Sequence, residues 1–166
     1  MQVFPSTRAG WQGDKCNSMQ LNLKTDYSLR LLLFLALHPD ELVTVAKVAD
    51  AFDISAHHLS KVAQTLAAAG FIQLLRGRSG GIRLLAAPSE VNISRVIRTV
   101  EGSLFLVECF DSKKNTCVIS PACGLKGILA EAQRAFFEVL ERYTLADAVH
   151  NPKALRGLLS KYTEQQ

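Results

Sequence analysis

Nowhere in its 166 residues does the chain hold an apolar run long enough to span a bilayer. The most apolar stretch, Leu31 to Leu37, falls far short of the roughly 20 residues that a spanning helix needs, so no membrane partner is expected. The first 18 residues lack a charged start leading into an apolar core and do not read as an export signal. They hold Pro5, Gly10 and Gly13 among mixed polar residues, which predicts a flexible extension over residues 1–18, with Met19 a candidate start of the patterned chain. Without an export signal the expected compartment is the cytoplasm, where disulfides are uncommon. Internal repeats and low-complexity segments are absent. So is any defensible Ser/His/Asp arrangement or phosphate loop, and the chain is not expected to be an enzyme. Acid is missing from one long window: between Ile54 and Ser89 there is no Asp or Glu, while Lys61, Arg76, Arg78 and Arg83 are basic. The formal net charge of +4 is a mild pointer to nucleic acid; the arrangement of the charge is a stronger one.

The punctuation predicts a mainly α chain with one small β-hairpin. Thr25 is a candidate N-cap with Asp26 in the first helical turn, and Leu29, Leu32, Leu33 and Ala36 repeat at helical spacing until His38-Pro39-Asp40. A short helix follows over 44–52, then the turn Asp53-Ile54-Ser55, then a longer helix capped by Ser55 and stopped by Gly70. Short helix, tight turn and longer helix make a helix–turn–helix. Residues 71–75 and 82–86 read as strands joined by the basic, glycine-rich turn Arg76 to Gly81. That is the wing of a winged helix, giving a domain over 19–102 with a further helix near 94–101. A cysteine-bearing loop spans 103–124. Leu125, Ile128, Leu129, Ala132, Phe136, Val139, Leu140 and Tyr143 then form an apolar stripe at helical spacing. It is too apolar for a solvated helix and predicts pairing with a second copy in region 125–149. Residues 150–166 form a tail, either a short helix or frayed.

A helix entering the major groove presents short polar or basic side chains near its N-terminus. Here these are His57, His58, Ser60, Lys61 and Gln64, with Leu59, Val62 and Leu66 facing the core. Arg76, Arg78 and Arg83 on the hairpin are placed to reach phosphates or a narrow minor groove. Glycines 77, 80 and 81 would permit positive backbone angles and close approach to DNA. Each feature alone has a plain structural reading, as a solvated face or hairpin tip. Their order within one acid-free window favours duplex DNA as a partner.

Cys109, Cys117 and Cys123 are separated by seven and five residues, unlike the close pairs of a zinc ribbon. Three thiolates on a loop suit a soft metal, whether an iron–sulfur cluster, zinc or copper; buried free cysteines are the ordinary alternative. Cys16, in the N-terminal segment, reads as unrelated.

The runs Leu23 to Arg30, His58 to Val62, Arg76 to Gly81, Glu101-Gly102, Val107 to Phe110, Cys117 to Cys123 and Leu140 to Asp147 together resemble the IscR/NsrR family of iron–sulfur winged-helix repressors. The likeness covers Met19 to Ala148 and is nearest the nitric-oxide-sensing branch. It implies cluster ligands at Cys109, Cys117 and Cys123, on the loop before the dimerisation helix. In the IscR branch a histidine shortly after the third cysteine completes the set, whereas here Gly124, Leu125 and Lys126 follow. The nitric-oxide-sensing branch can use an aspartate early in the first helix of the other subunit, and Asp26 matches it. Asp26 also suits a plain role at the helix dipole. The long gap between the first two cysteines leaves 4Fe–4S favoured and 2Fe–2S the alternative. The resemblance implies a homodimeric repressor on a pseudo-palindromic operator, with nitric oxide as effector and nitric-oxide detoxification genes as targets. The alternative it implies is an IscR-like regulator of cluster supply or iron and redox balance. An electron-transfer protein would have no use for the basic wing, and a cluster-free regulator none for three cysteines.

Overall fold

The computed structural model describes residues 20–77, 80–102 and 104–163, and side chains as far as residue 160. Arg78 and Ser79 at the wing tip, Cys16, Met19 and the expected extension over 1–18 lie outside the described residues.

Helix α1 (Leu23–Leu37) starts from Asn22, whose side chain accepts a hydrogen bond from the Thr25 N–H at 2.9 Å. The expected cap at Thr25 is therefore corrected to Asn22. Thr25 is fully buried inside the helix, and its hydroxyl is without a hydrogen-bond partner among the described residues. The reason is tertiary: Glu101 accepts from both the backbone N–H (2.8 Å) and Nδ2 (2.5 Å) of Asn22. That holds Asn22 extended and lets the helix begin at once. Helices α2 (Val45–Phe52) and α3 (Ala56–Ala68) follow. Thr44 caps α2, and Asp53, with φ of 50°, turns the chain left-handed between them. Ser55 stands at the N-cap of α3 without a side-chain capping bond.

Strands β1 (Ile72–Leu75) and β2 (Gly81–Leu84) pair antiparallel, each shorter than expected, with Gln73 opposite Arg83. A bridge between Val43 and Ile82 ties the hairpin to the α1–α2 connection. It also gives Gly81 its reason, since a Cβ there would lie 2.8 Å from the Val43 carbonyl oxygen. Of the three turn glycines only Gly77 has positive φ, at 109°. The expected positive angle is thus found at Gly77 and corrected at Gly80 and Gly81, where a Cβ would instead clash with backbone, the Leu75 carbonyl oxygen at Gly80 and the Val43 carbonyl at Gly81.

A 3₁₀ turn at Pro88–Glu90 precedes α4 (Ile93–Glu101), which ends at Gly102. The core joins Leu31, Leu32 and Leu35 of α1 to Val48, Leu59, Leu66, Ile72, Ile82 and Val96. Leu59, Val62 and Leu66 face it as expected. Helix α5 (Gly124–Glu141) leads to α6 (Leu145–Ala148) and α7 (Pro152–Thr163). The described part of the tail is thus helical over Pro152–Thr163. Helix α7 packs on α2, and the Arg156 guanidinium donates to the Leu37 carbonyl. The architecture is mainly α with a small two-stranded sheet, a winged helix carrying a long C-terminal helix. Among the described residues no helix is long and apolar enough to cross a membrane.

Candidate nucleic-acid interface and cysteine loop

Helix α3 buries Leu59, Val62, Ala63 and Leu66, and this decides what its other face shows. His57, His58, Lys61 and Gln64 are exposed, and the two imidazoles lie 6.1 Å apart. Ser60 is half-buried and its hydroxyl donates to the Ala56 carbonyl at 2.7 Å, so toward a ligand it can offer only lone pairs. Arg76 and Arg83 are exposed on the hairpin. The Arg83 Nε donates to Gln73 Oε1 at 2.9 Å, which holds the guanidinium along the strand. Arg78 lies outside the described residues. Helix face and wing together form a basic surface with no carboxylate contributed from residues 54–89.

The cysteine loop is built from turns. Cys109 sits in a 3₁₀ turn, Glu108–Phe110, and Cys123 follows another, Ser120–Ala122. Between them the Asn115 N–H donates to the Asp111 carbonyl at 2.9 Å, and the Cys117 N–H to Asn115 Oδ1 at 3.1 Å. Glu108 Oε1 accepts from both the Thr116 N–H (2.6 Å) and the Thr116 hydroxyl (2.7 Å). The hydroxyl first, and the N–H with it, hold the Glu108 carboxyl below the usual glutamate range. Cys117 is exposed, Cys109 and Cys123 are half-buried, and all three are free thiols.

Among the described residues no three His, Cys, Asp or Glu side chains are gathered closely enough to hold a metal ion. The donor set nevertheless suits an iron–sulfur cluster, because three reduced thiols on one loop are soft ligands that become thiolates on binding. Asp26, in the first turn of α1, is half-buried and pairs with Arg30 at 2.8 Å. The single chain does not bring it together with the cysteines.

Along α5 the expected apolar stripe is largely uncovered. Leu125 is 58% exposed, Ile128 65% and Val139 47%. The buried residue of this helix is Phe137, which the stripe had omitted. It faces α4, where the Arg98 guanidinium lies 3.9 Å from its ring centroid. Arg98 also reaches Glu141 at 3.3 Å.

The family model for Rrf2, described as an iron-dependent transcriptional regulator, matches residues 21–151. The chain is 51% identical over 149 residues to the HTH-type transcriptional regulator NsrR of Shouchella clausii, covering 89% of this chain and all of that one. It is 48% identical over 142 residues to NsrR of Bacillus subtilis, covering 85% and 97%. Among solved structures, IscR of T. potens superposes with a TM-score of 0.63 at 25% identity, covering 80% of this chain and 88% of that one. CymR of B. subtilis, titled the global cysteine regulator, gives 0.64 at 24% identity, covering 80% and 98%.

Proposed function

This chain belongs to the Rrf2 family of transcriptional regulators, and from that premise we propose that it is a homodimeric repressor that releases its operator in response to nitric oxide. The observation that carries the reading is the position of three free thiols. They stand on one turn-rich loop directly between the winged helix and a helix whose apolar face is uncovered. A change at that loop can alter how two reading heads sit relative to each other without touching a DNA-contacting residue.

Cys109, Cys117 and Cys123 would hold an iron–sulfur cluster, 4Fe–4S favoured over 2Fe–2S, with Asp26 of a second subunit as fourth ligand. When bound, the cluster supplies iron to which nitric oxide can add. The chain's own residues supply the rest. His57, His58, Ser60, Lys61 and Gln64 would face base edges in the major groove, while Arg76, Arg78 and Arg83 would neutralise phosphates. The stripe from Leu125 to Tyr143 would pair about a two-fold axis, setting the recognition helices roughly one helical turn of DNA apart. Targets would be genes that detoxify nitric oxide. Relatives named NsrR at about half identity support this branch, and Gly124-Leu125-Lys126 after the third cysteine disfavours the IscR-like alternative.

The deciding experiment is anaerobic purification followed by an absorption spectrum and an operator titration with and without nitric oxide. A cluster spectrum with tight binding that nitric oxide abolishes is expected. A colourless protein, or binding indifferent to nitric oxide, overturns the reading.

A further inference from the structure

Cys109 and Cys117 are separated by seven residues on a largely exposed stretch of chain, and holding the ends of such a loop together costs conformational entropy. The structure meets that cost with a side chain. Glu108 immediately precedes Cys109 and Thr116 immediately precedes Cys117, and the two are bonded twice through one carboxylate oxygen, at 2.6 and 2.7 Å. Within the enclosed segment, Asp111 takes the Asn115 N–H on its carbonyl and the Lys113 N–H on its carboxylate, and Asn115 takes the Cys117 N–H. Past the 3₁₀ turn that ends at Phe110 no helix or strand runs between the two cysteines, and Ser112, Lys113, Lys114 and Thr116 are exposed, so this part of the loop does not rest on the hydrophobic core. Its shape rests on the clasp.

We propose that Glu108 is a positioning residue that holds Cys109 and Cys117 side by side in the metal-free protein, so that two of the three thiols are pre-arranged before any metal arrives. The inference rests on reading these cysteines as neighbouring ligands, as above. The clasp needs first an acceptor at Glu108, and the carboxylate charge strengthens both bonds. Glutamine, which keeps the acceptor without the charge, should retain part of the clasp and alanine none. A metal-ligating or purely electrostatic role for Glu108 would not separate glutamine from alanine.

The test measures thiol proximity directly. Full-length metal-free protein carrying Cys123→Ser is equilibrated in a glutathione redox buffer, and the Cys109–Cys117 disulfide is quantified by mass spectrometry. Each disulfide formed joins two protein thiols into one S–S bond while one glutathione disulfide is reduced to two glutathione thiols. Glu108→Ala should lower the equilibrium constant roughly five- to tenfold, about the net effect of losing one ordinary hydrogen bond at an exposed site. Thr116→Val, which keeps the N–H, should fall between, and so should Glu108→Gln, which keeps a neutral acceptor. Amide exchange at Thr116 should quicken more in the alanine variant than in the glutamine one. An alanine variant equal to its parent overturns the proposal, and so does a glutamine variant that falls as far as alanine. The measurement involves no cluster, DNA or nitric oxide, so its failure is distinguishable from failure of the functional reading.

Discussion

Arg98 lays its guanidinium over the ring of Phe137, 3.9 Å from the centroid. The contact joins the last helix of the winged domain to the long helix beyond the cysteine loop. Phe137 is 4% exposed, so Phe137→Ala should destabilise by about 3–5 kcal/mol, the range for deleting a buried aromatic. Arg98→Ala should cost less, about 0.5–1 kcal/mol, since the guanidinium is half in water and its pairing with Glu141 is exposed. Thermal unfolding of both variants checks this ranking; an equal or reversed order would place the stabilisation elsewhere on α5.

The basic face yields a second expectation. Lys61→Ala and Arg76→Ala should each weaken operator binding and flatten its salt dependence by about one unit of log–log slope per lost phosphate contact. His57→Ala should act differently if it faces a base, lowering discrimination between operators while leaving the salt slope alone. Fluorescence anisotropy at several salt concentrations separates the two classes. Unchanged affinity and slope in Lys61→Ala would remove that residue from the interface.

Phe136 is 39% exposed and lies on the uncovered side of α5, whereas its neighbour Phe137 is buried against α4. Phe136→Asp should split a dimer and abolish tight operator binding while largely sparing the fold, because Phe136 is mostly at the surface and its one ring contact, edge-on to Phe137 at 5.1 Å, leaves Phe137 held by Arg98. Sedimentation of the parent at micromolar concentration should show a dimer, and of the variant a folded monomer. A monomeric parent refutes the pairing.

The link from α5 back to the winged domain has its own acid sensitivity. Asp147 accepts from the Thr144 N–H and hydroxyl, each at 2.7 Å. The backbone bond first, then the hydroxyl, lower its carboxyl below the ordinary aspartate value. A depressed carboxylate contributes stability that is fully present above the unfolded-state value and is lost as pH falls through the folded-state one. Stability should therefore drop as pH descends through and below the usual aspartate range. Asp147→Asn should shrink that part of the drop. Denaturant midpoints across acidic pH provide the check, and an unchanged profile would mean the capping box contributes nothing.

Much of this was legible locally because short-range signals governed it. Gly70 after α3 and the run Arg76 to Gly81 mark their boundaries through backbone freedom. Leu59, Val62 and Leu66 reveal the core side of α3 by spacing alone. The errors came from contacts distant in sequence. Asn22 and Thr25 are both competent caps, and Glu101, remote in sequence but bonded to Asn22, settles which one serves. The stripe on α5 marks its uncovered side, yet nothing in the periodicity shows that Phe137 packs against Arg98 on the other. Glu108 stood in plain view beside Cys109, but its role depends on a loop closing on Thr116. Asp26 and the three cysteines are not gathered within one chain, and their spacing along the sequence carries no signal of a contact between chains.

Asp26 carries the last prediction. It pairs with Arg30 one turn along α1, at 2.8 Å, with both side chains about two-fifths exposed. An exposed pair of this kind contributes roughly 0–1 kcal/mol, so the carboxylate is not committed to Arg30 and is free to serve as an oxygen ligand to a partner's loop. Oxygen is a hard donor on a site that prefers sulfur, which would make the iron it holds the most exchangeable. Because Asn22 and Glu101 fasten the start of α1 to the end of α4, a bond at Asp26 would restrain the whole winged domain. Its loss would let the recognition helices leave register. Couplings of this kind are typically about 1–3 kcal/mol, or roughly 5–150-fold in affinity. Asp26→Ala should still assemble a cluster on Cys109, Cys117 and Cys123 but respond differently to nitric oxide, whereas Cys117→Ala should lose both the cluster and much of the operator affinity. Arg30→Ala should leave cluster and response near the parent's, which separates ligation from the ion pair. An Asp26→Ala protein matching the parent in spectrum, operator affinity and nitric-oxide response would reduce Asp26 to a helix-terminus acid.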